Sequence, residues 1–162
     1  MKKIITLLMF AVLLVGLSGC SASKLKEINK DEIFNQEGKY FVYFYQEDCE
    51  DCKIAKPIIE AYVKQIQTGN YENKNTVYAV NLSKEENKDI LRAYNQVILG
   101  WGAGQGDGTY YVDNVTDADN LYIGATSALI SVGVNSNGDK FSKFLISGNE
   151  GIGTYLSNYL QK

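Results

Sequence analysis

Six aromatic or aliphatic residues run without interruption from Tyr40 through Phe41, Val42, Tyr43 and Phe44 to Tyr45. A run of this length and composition predicts a strand over residues 39–46 that is apolar on both faces, as a strand buried in the middle of a sheet must be. After it the period changes. Ile54, Ile58, Ile59, Val63 and Ile66 recur at helical spacing, which predicts a helix over residues 49–67. Pro57 lies inside that helix and is expected to kink it. A second strand is predicted over residues 76–82. Ser83, with Glu86 three positions on, has the spacing of a capping box, so a helix is expected through Ile90, Leu91 and Tyr94. Residues 128–134 and 141–146 read as a strand pair joined around Asn137-Gly138, a hairpin signal. Ile152, Tyr155, Leu156, Tyr159 and Leu160 fall on one face of a last helix. Ahead of the first strand, residues 31–36 suggest a short helix capped by Asn29 or Asp31. Interleaved strands and helices of this kind give an α/β domain over residues 31–162, with a central mixed sheet flanked by helices.

Residues 96–120 break the pattern. Gly100, Gly102, Gly104, Gly106 and Gly108 alternate with other residues, and the stretch reads as an insertion loop before the C-terminal hairpin. It lacks the Gly-Lys-Ser/Thr that would follow in a phosphate loop, so a lid near the site is expected. Trp101, Tyr110 and Tyr111 would then either cover apolar substrate or serve as packing. Asp113, Asp117 and Asp119 lack the glycine and terminal glutamate of a calcium loop.

The start of the chain is organised differently. Lys2 and Lys3 precede a segment from Ile4 to Gly16 that is apolar apart from Thr6, and Leu17-Ser18-Gly19-Cys20 follows. This is the layout of a secretory signal, too short and too abruptly ended for a good membrane span. The last four residues resemble a bacterial lipobox. The resemblance implies a signal peptide at residues 1–19, cleavage before Cys20, lipidation of Cys20 and a protein tethered to the outer face of the cell membrane, with residues 20–30 as tether.

Charge and composition narrow the function. The net charge of −3 becomes −5 without Lys2 and Lys3, which argues against nucleic acid as a partner. The chain has no histidine, so the usual general base and metal ligand are absent. Of its three cysteines, lipidation would consume Cys20 and leave the pair in Cys49-Glu50-Asp51-Cys52. A thiol at a helix N-terminus is favoured as thiolate, and a second thiol one turn on can close a disulfide with it. Closing so small a ring stabilises a fold little, because the gain scales with loop length. Redox chemistry therefore explains the pair better than stapling. Zinc would need further ligands, and no second pair or histidine supplies them. No cofactor is expected beyond the Cys49–Cys52 couple.

The element order, with Cys-x-x-Cys between the first strand and its helix and Pro57 five residues after Cys52, resembles the thioredoxin superfamily over residues 31–162. The resemblance implies that Cys49 is the exposed attacking thiol and Cys52 the buried resolving thiol. It also implies a thiol–disulfide oxidoreductase acting on an exported protein or peptide, with a thiol electron-donor protein as second partner. Around the pair, Tyr45, Glu50, Asp51, Ala125 and Thr126 are the candidate tuning or substrate-binding residues.

Three positions depart from the family pattern. Thr126 stands where the family carries a cis-proline, and the Ala125–Thr126 bond is expected to be trans. Tyr43 replaces a buried aspartate six residues before the first cysteine, and the lysine that partners that aspartate has no equivalent in residues 76–82. Finally, Glu47, Asp48, Glu50 and Asp51 crowd the pair. A carboxylate about 7 Å away opposes a thiolate by roughly 0.6–2.4 kcal/mol at effective dielectrics of about 80 to 20. That predicts a Cys49 pKa nearer that of a free thiol than in strongly oxidising relatives, and a reducing couple, although the acidic run also reads as a solvated loop. The alternative to an enzyme is a thioredoxin-like lipoprotein that binds a protein or peptide with little redox catalysis.

Overall fold

The computed structural model describes residues 25–69, 71, 73–91 and 112–162. Five strands form one sheet: β1 (Lys26–Glu27), β2 (Tyr40–Tyr45), β3 (Thr76–Asn81), β4 (Ala128–Val134) and β5 (Lys140–Ser147). Among the described residues two α-helices accompany them, α1 (Glu50–Thr68) and α2 (Asn149–Gln161), with 3-10 turns at Lys30–Glu32 and Lys88–Ile90. The strand order is β1-β3-β2-β4-β5. β1 and β2 both run parallel to β3, while β4 is antiparallel to β2 and to β5. A mixed sheet in this order, with α1 crossing from β2 to β3 and a hairpin and helix closing the chain, is the thioredoxin-like arrangement.

β2 is buried at every position, and its alternation feeds two cores. Phe41, Tyr43 and Tyr45 pack with Cys52, Ala55, Ile59 and Val63 of α1 and with Ile152 and Leu156 of α2. Tyr40, Val42 and Phe44 face the opposite layer, with Ile33, Leu82, Ile90, Leu121 and Ile123. Both α-helices therefore lie on one face. The buried stripe of α1 is Cys52, Ala55, Ile59, Tyr62 and Val63. Ile54 and Ile58, expected in that stripe, remain exposed, because the helix turns the Cys52–Ala55–Ile59 line toward the sheet. Pro57 is accommodated inside the continuous helix.

Three segments differ from expectation. Residues 25–30, read as part of the tether, belong to the domain. Leu25 and Ile28 are buried, and Lys26 and Glu27 pair with Tyr78 and Ala79 of β3. A two-residue strand is too short to leave a period in the sequence. Next, the described residues after Ser83 form turns and the 3-10 helix Lys88–Ile90 rather than the expected α-helix. The Ser83 hydroxyl instead accepts from the Glu47 N–H, at 3.0 Å, and Asn87 is buried, its side-chain amide donating to the Asn81 carbonyl at 3.0 Å. Side chains that satisfy strand ends hold this stretch as a connector. The continuation through Tyr94 lies outside the described residues.

The third is the end of the glycine-rich segment, where residues 112–115 lie along β5. The Asn114 N–H donates to the Ser142 carbonyl and the Ser142 N–H to the Val115 carbonyl, both at 2.8 Å. The Asp113 carboxylate accepts from the Phe144 N–H at 2.7 Å. These contacts occupy an edge that would otherwise expose unpaired backbone groups. Residues 96–111 of the insertion, with Trp101, Tyr110 and Tyr111, lie outside the described residues. So do Cys20 and the residues before it. No described helix is long and apolar enough to cross a membrane.

Candidate active site

The end of β2 delivers the chain straight to the N-terminus of α1. Cys49 is the N-cap, in an extended conformation, and its sulfur accepts a hydrogen bond from the Cys52 N–H at 3.1 Å. Its carbonyl accepts from the Lys53 N–H at 3.1 Å, the first bond of the helix. The capping role suits a sulfur that carries negative charge, since orphan N–H groups and the positive end of the helix dipole meet there. Cys49 and Cys52 are joined in a disulfide, with Cα atoms 5.1 Å apart. Cys49 is half-buried and Cys52 is 3% exposed. One sulfur can therefore be approached from outside while the other is screened.

The two cysteines line different clefts. Cys49 lines one of about 460 Å³, together with Gln46, Asp48, Glu50, Asp51, Ser83 and Thr126. Cys52 lines one of about 430 Å³, shared with Glu27, Tyr45, Lys53, Lys56 and Lys84. Glu47, Glu50 and Asp51 are each engaged by a polar partner. Glu50 pairs with Lys53 at 2.6 Å. Asp51 accepts from the Asn149 amide at 2.6 Å, and Glu47 from the Asn81 amide at 3.1 Å.

Tyr43 sits beneath the disulfide, fully buried. Its hydroxyl donates to the Cys52 carbonyl at 3.3 Å and accepts from the Ser127 hydroxyl at 3.2 Å. Burial pushes its pKa up, an effect partly opposed by the Ser127 bond, so this position holds a neutral phenol. The Ala125–Thr126 bond is trans; the cis bond is Thr126–Ser127. Ser127 is buried, and its carbonyl accepts from the Gly148 N–H at 2.9 Å. Thr126 lines the Cys49 cleft and donates to the Gln46 side-chain oxygen at 3.3 Å. Ala125 is exposed and lines neither of these clefts.

Tyr45 belongs to the Cys52 cleft. Its hydroxyl donates to Glu27 at 2.5 Å, and Lys56 lies over its ring at 5.1 Å. Glu27 also pairs with Lys84 at 3.1 Å. Burial and the acidic neighbour raise the Tyr45 pKa. The Tyr45 bond, and then Lys84, lower that of Glu27 below its ordinary 4.5 despite partial burial. Glu27, Lys56, Lys84 and Ser127 escaped the sequence reading. Glu27 lies in a segment read as tether, and the others carry no motif. Among the described residues no three His, Cys, Asp or Glu side chains converge to hold a metal ion.

Solved structures similar to the chain share little sequence with it. They include form II of ERdj5, at 10% identity and TM-score 0.48, covering 86% of this chain and 15% of that one. The J-Trx1 fragment of ERdj5 gives 12% identity and TM-score 0.42, covering 85% and 52%. Chloroplastic thioredoxin z gives 10% and 0.42, covering 86% and 96%. The chain thus spans 15% and about half of the length of the first two. No protein-family model and no curated protein matches it. The thioredoxin-like assignment rests on the strand order and on the place of the disulfide in it.

The Glu27 cluster fixes a pH dependence. A carboxyl whose folded pKa lies below its unfolded value adds stability above the unfolded pKa and loses it as pH falls through the folded one. Glu27 is 39% exposed, so the contribution is expected to stay below about 1 kcal/mol. Unfolding free energies of wild type and Glu27→Gln from denaturant titration should differ by that small amount at neutral pH and converge as pH falls below 4.5. A gap that widens on acidification would contradict this account.

Proposed function

We propose that the chain is a thiol–disulfide oxidoreductase, lipid-anchored through Cys20 on the extracytoplasmic face of the membrane. It would act on exported proteins by dithiol/disulfide exchange, as a reductase or isomerase. The observation that carries the redox reading is a helix-capping disulfide with one approachable sulfur, at Cys49, and one screened sulfur, at Cys52. The leader ending in Leu17-Ser18-Gly19-Cys20 supports the location.

In the reduced protein, the Cys49 thiolate attacks a substrate disulfide. A Cys49–substrate bond forms, and the other substrate sulfur leaves with the electron pair and takes a proton from water. Cys52 then loses its proton to water and attacks the Cys49 sulfur. The Cys49–Cys52 bond re-forms, and the second substrate sulfur departs as thiolate. The substrate has gained two electrons and the protein has lost them, to be restored by a second thiol protein. Cys52, held one turn along the same helix, makes the second step intramolecular.

Replacing Cys49 with serine should abolish reduction of an insulin disulfide and leave the far-ultraviolet circular dichroism spectrum unchanged. Undiminished turnover would remove the oxidoreductase reading. Wild-type turnover far below a thioredoxin control, with tight retention of a partner by the double-serine variant, would favour a binding module instead.

The carboxylates around Cys49 disfavour its thiolate and so favour the disulfide. The reduction potential, read by equilibration with glutathione, should lie closer to about −270 mV, as in thioredoxin, than to about −120 mV, as in a strong oxidant. A value near the latter would overturn the reducing assignment. For the anchor, Cys20→Ser should move the protein out of the membrane fraction and abolish incorporation of labelled fatty acid. Retained label would refute lipidation at this residue.

A further inference from the structure

The charge around the disulfide changes sign from one sulfur to the other. On the Cys49 side the charged residues lining the cleft are all carboxylates, Asp48, Glu50 and Asp51, and the other lining groups are neutral. On the Cys52 side three lysines, Lys53, Lys56 and Lys84, outnumber the carboxylates Glu27 and Glu47. Lys53 reaches across to Glu50, so the charge it offsets on the Cys49 side is one of three. The hydrogen bond from Asn149 leaves the charge of Asp51 in place.

Thiol–disulfide exchange proceeds along the line of the sulfurs. A substrate disulfide that meets Cys49 therefore rests its flanking residues in the Cys49 cleft, against these carboxylates. An acidic flank would meet like charge at close range. A basic flank would meet opposite charge, in a chain whose net charge of −3 adds long-range attraction. Each carboxylate is exposed and contributes little alone. Together they act on encounter rate and on the choice of substrate.

We infer that the preferred substrate is a cationic polypeptide, with lysine or arginine flanking the disulfide that Cys49 attacks. This rests on the oxidoreductase reading and adds the substrate class to it. The probes are two synthetic peptides, each with one intramolecular disulfide, identical except for lysine or glutamate at the flanking positions. The pre-reduced protein is mixed with each, and the second-order rate constant is followed by the loss of its free thiols.

At low salt the lysine peptide should react at least about ten times faster, within the range of electrostatic steering. The ratio should fall below about two at roughly 1 M salt, where the screening length is about 3 Å. In the Asp48→Asn, Asp51→Asn double variant the low-salt ratio should fall to about three or less, reflecting the two removed charges. Because both peptides see the same thiol, the ratio is insensitive to any change the variant makes in thiol reactivity. A wild-type ratio near one, or a ratio the double variant leaves intact, overturns the inference and leaves the oxidoreductase reading standing. Reaction with neither peptide overturns both.

Discussion

Six consecutive side chains of β2 are withdrawn from water, three toward each face of the sheet. A strand buried on both faces needs a neighbour on each edge and a covering layer above and below. β3 meets one edge in parallel and β4 the other in antiparallel fashion. A parallel neighbour requires a crossover, and here the crossover is α1, which has to begin where β2 ends. The capping cysteine is therefore held by the best-buried part of the molecule. The site lies beyond the carboxyl ends of the parallel strands, where α/β sheets commonly place their ligands.

The same geometry gives the two cysteines unlike surroundings. Cys49 projects from the first turn into the acidic cleft, and Cys52 turns inward to the stripe that packs on the sheet. Beneath them a neutral phenol, Tyr43, ties the Cys52 carbonyl to the Ser127 hydroxyl. A tyrosine that donates and accepts at once joins the active-site helix to the loop before β4 without placing a charge in the core. The Glu27–Lys84 ion pair lies on the cleft wall with both side chains partly exposed, where its desolvation cost is small.

Much of this was legible in the sequence because it is periodic. The uninterrupted run from Tyr40 to Tyr45 announced a central strand, and the spacing of Cys49 and Cys52 placed a reactive pair at a helix start. Asn137-Gly138 marked the hairpin, whose glycine has a φ of 90°. What escaped depends on contacts distant in sequence. β1 has two residues, and only pairing with Tyr78 and Ala79 makes it a strand. Ser83 and Glu86 satisfy a helix-capping pattern locally, yet the Ser83 hydroxyl is taken by the Glu47 N–H, 36 positions away. In each case a tertiary partner overrides the local signal.

The place of Glu27 has a mechanical side. It sits on β1, two residues after buried Leu25, and its carboxylate lies in the cleft that Cys52 lines. If Cys20 carries lipid, five residues lead from it to the buried anchor at Leu25, a span of at most about 18 Å when fully extended. The reactive pair would then work on a short leash fastened beside it, sweeping a shallow shell above the bilayer. Substrates would have to come to the membrane surface, and a disulfide deep in a large soluble assembly would stay out of range.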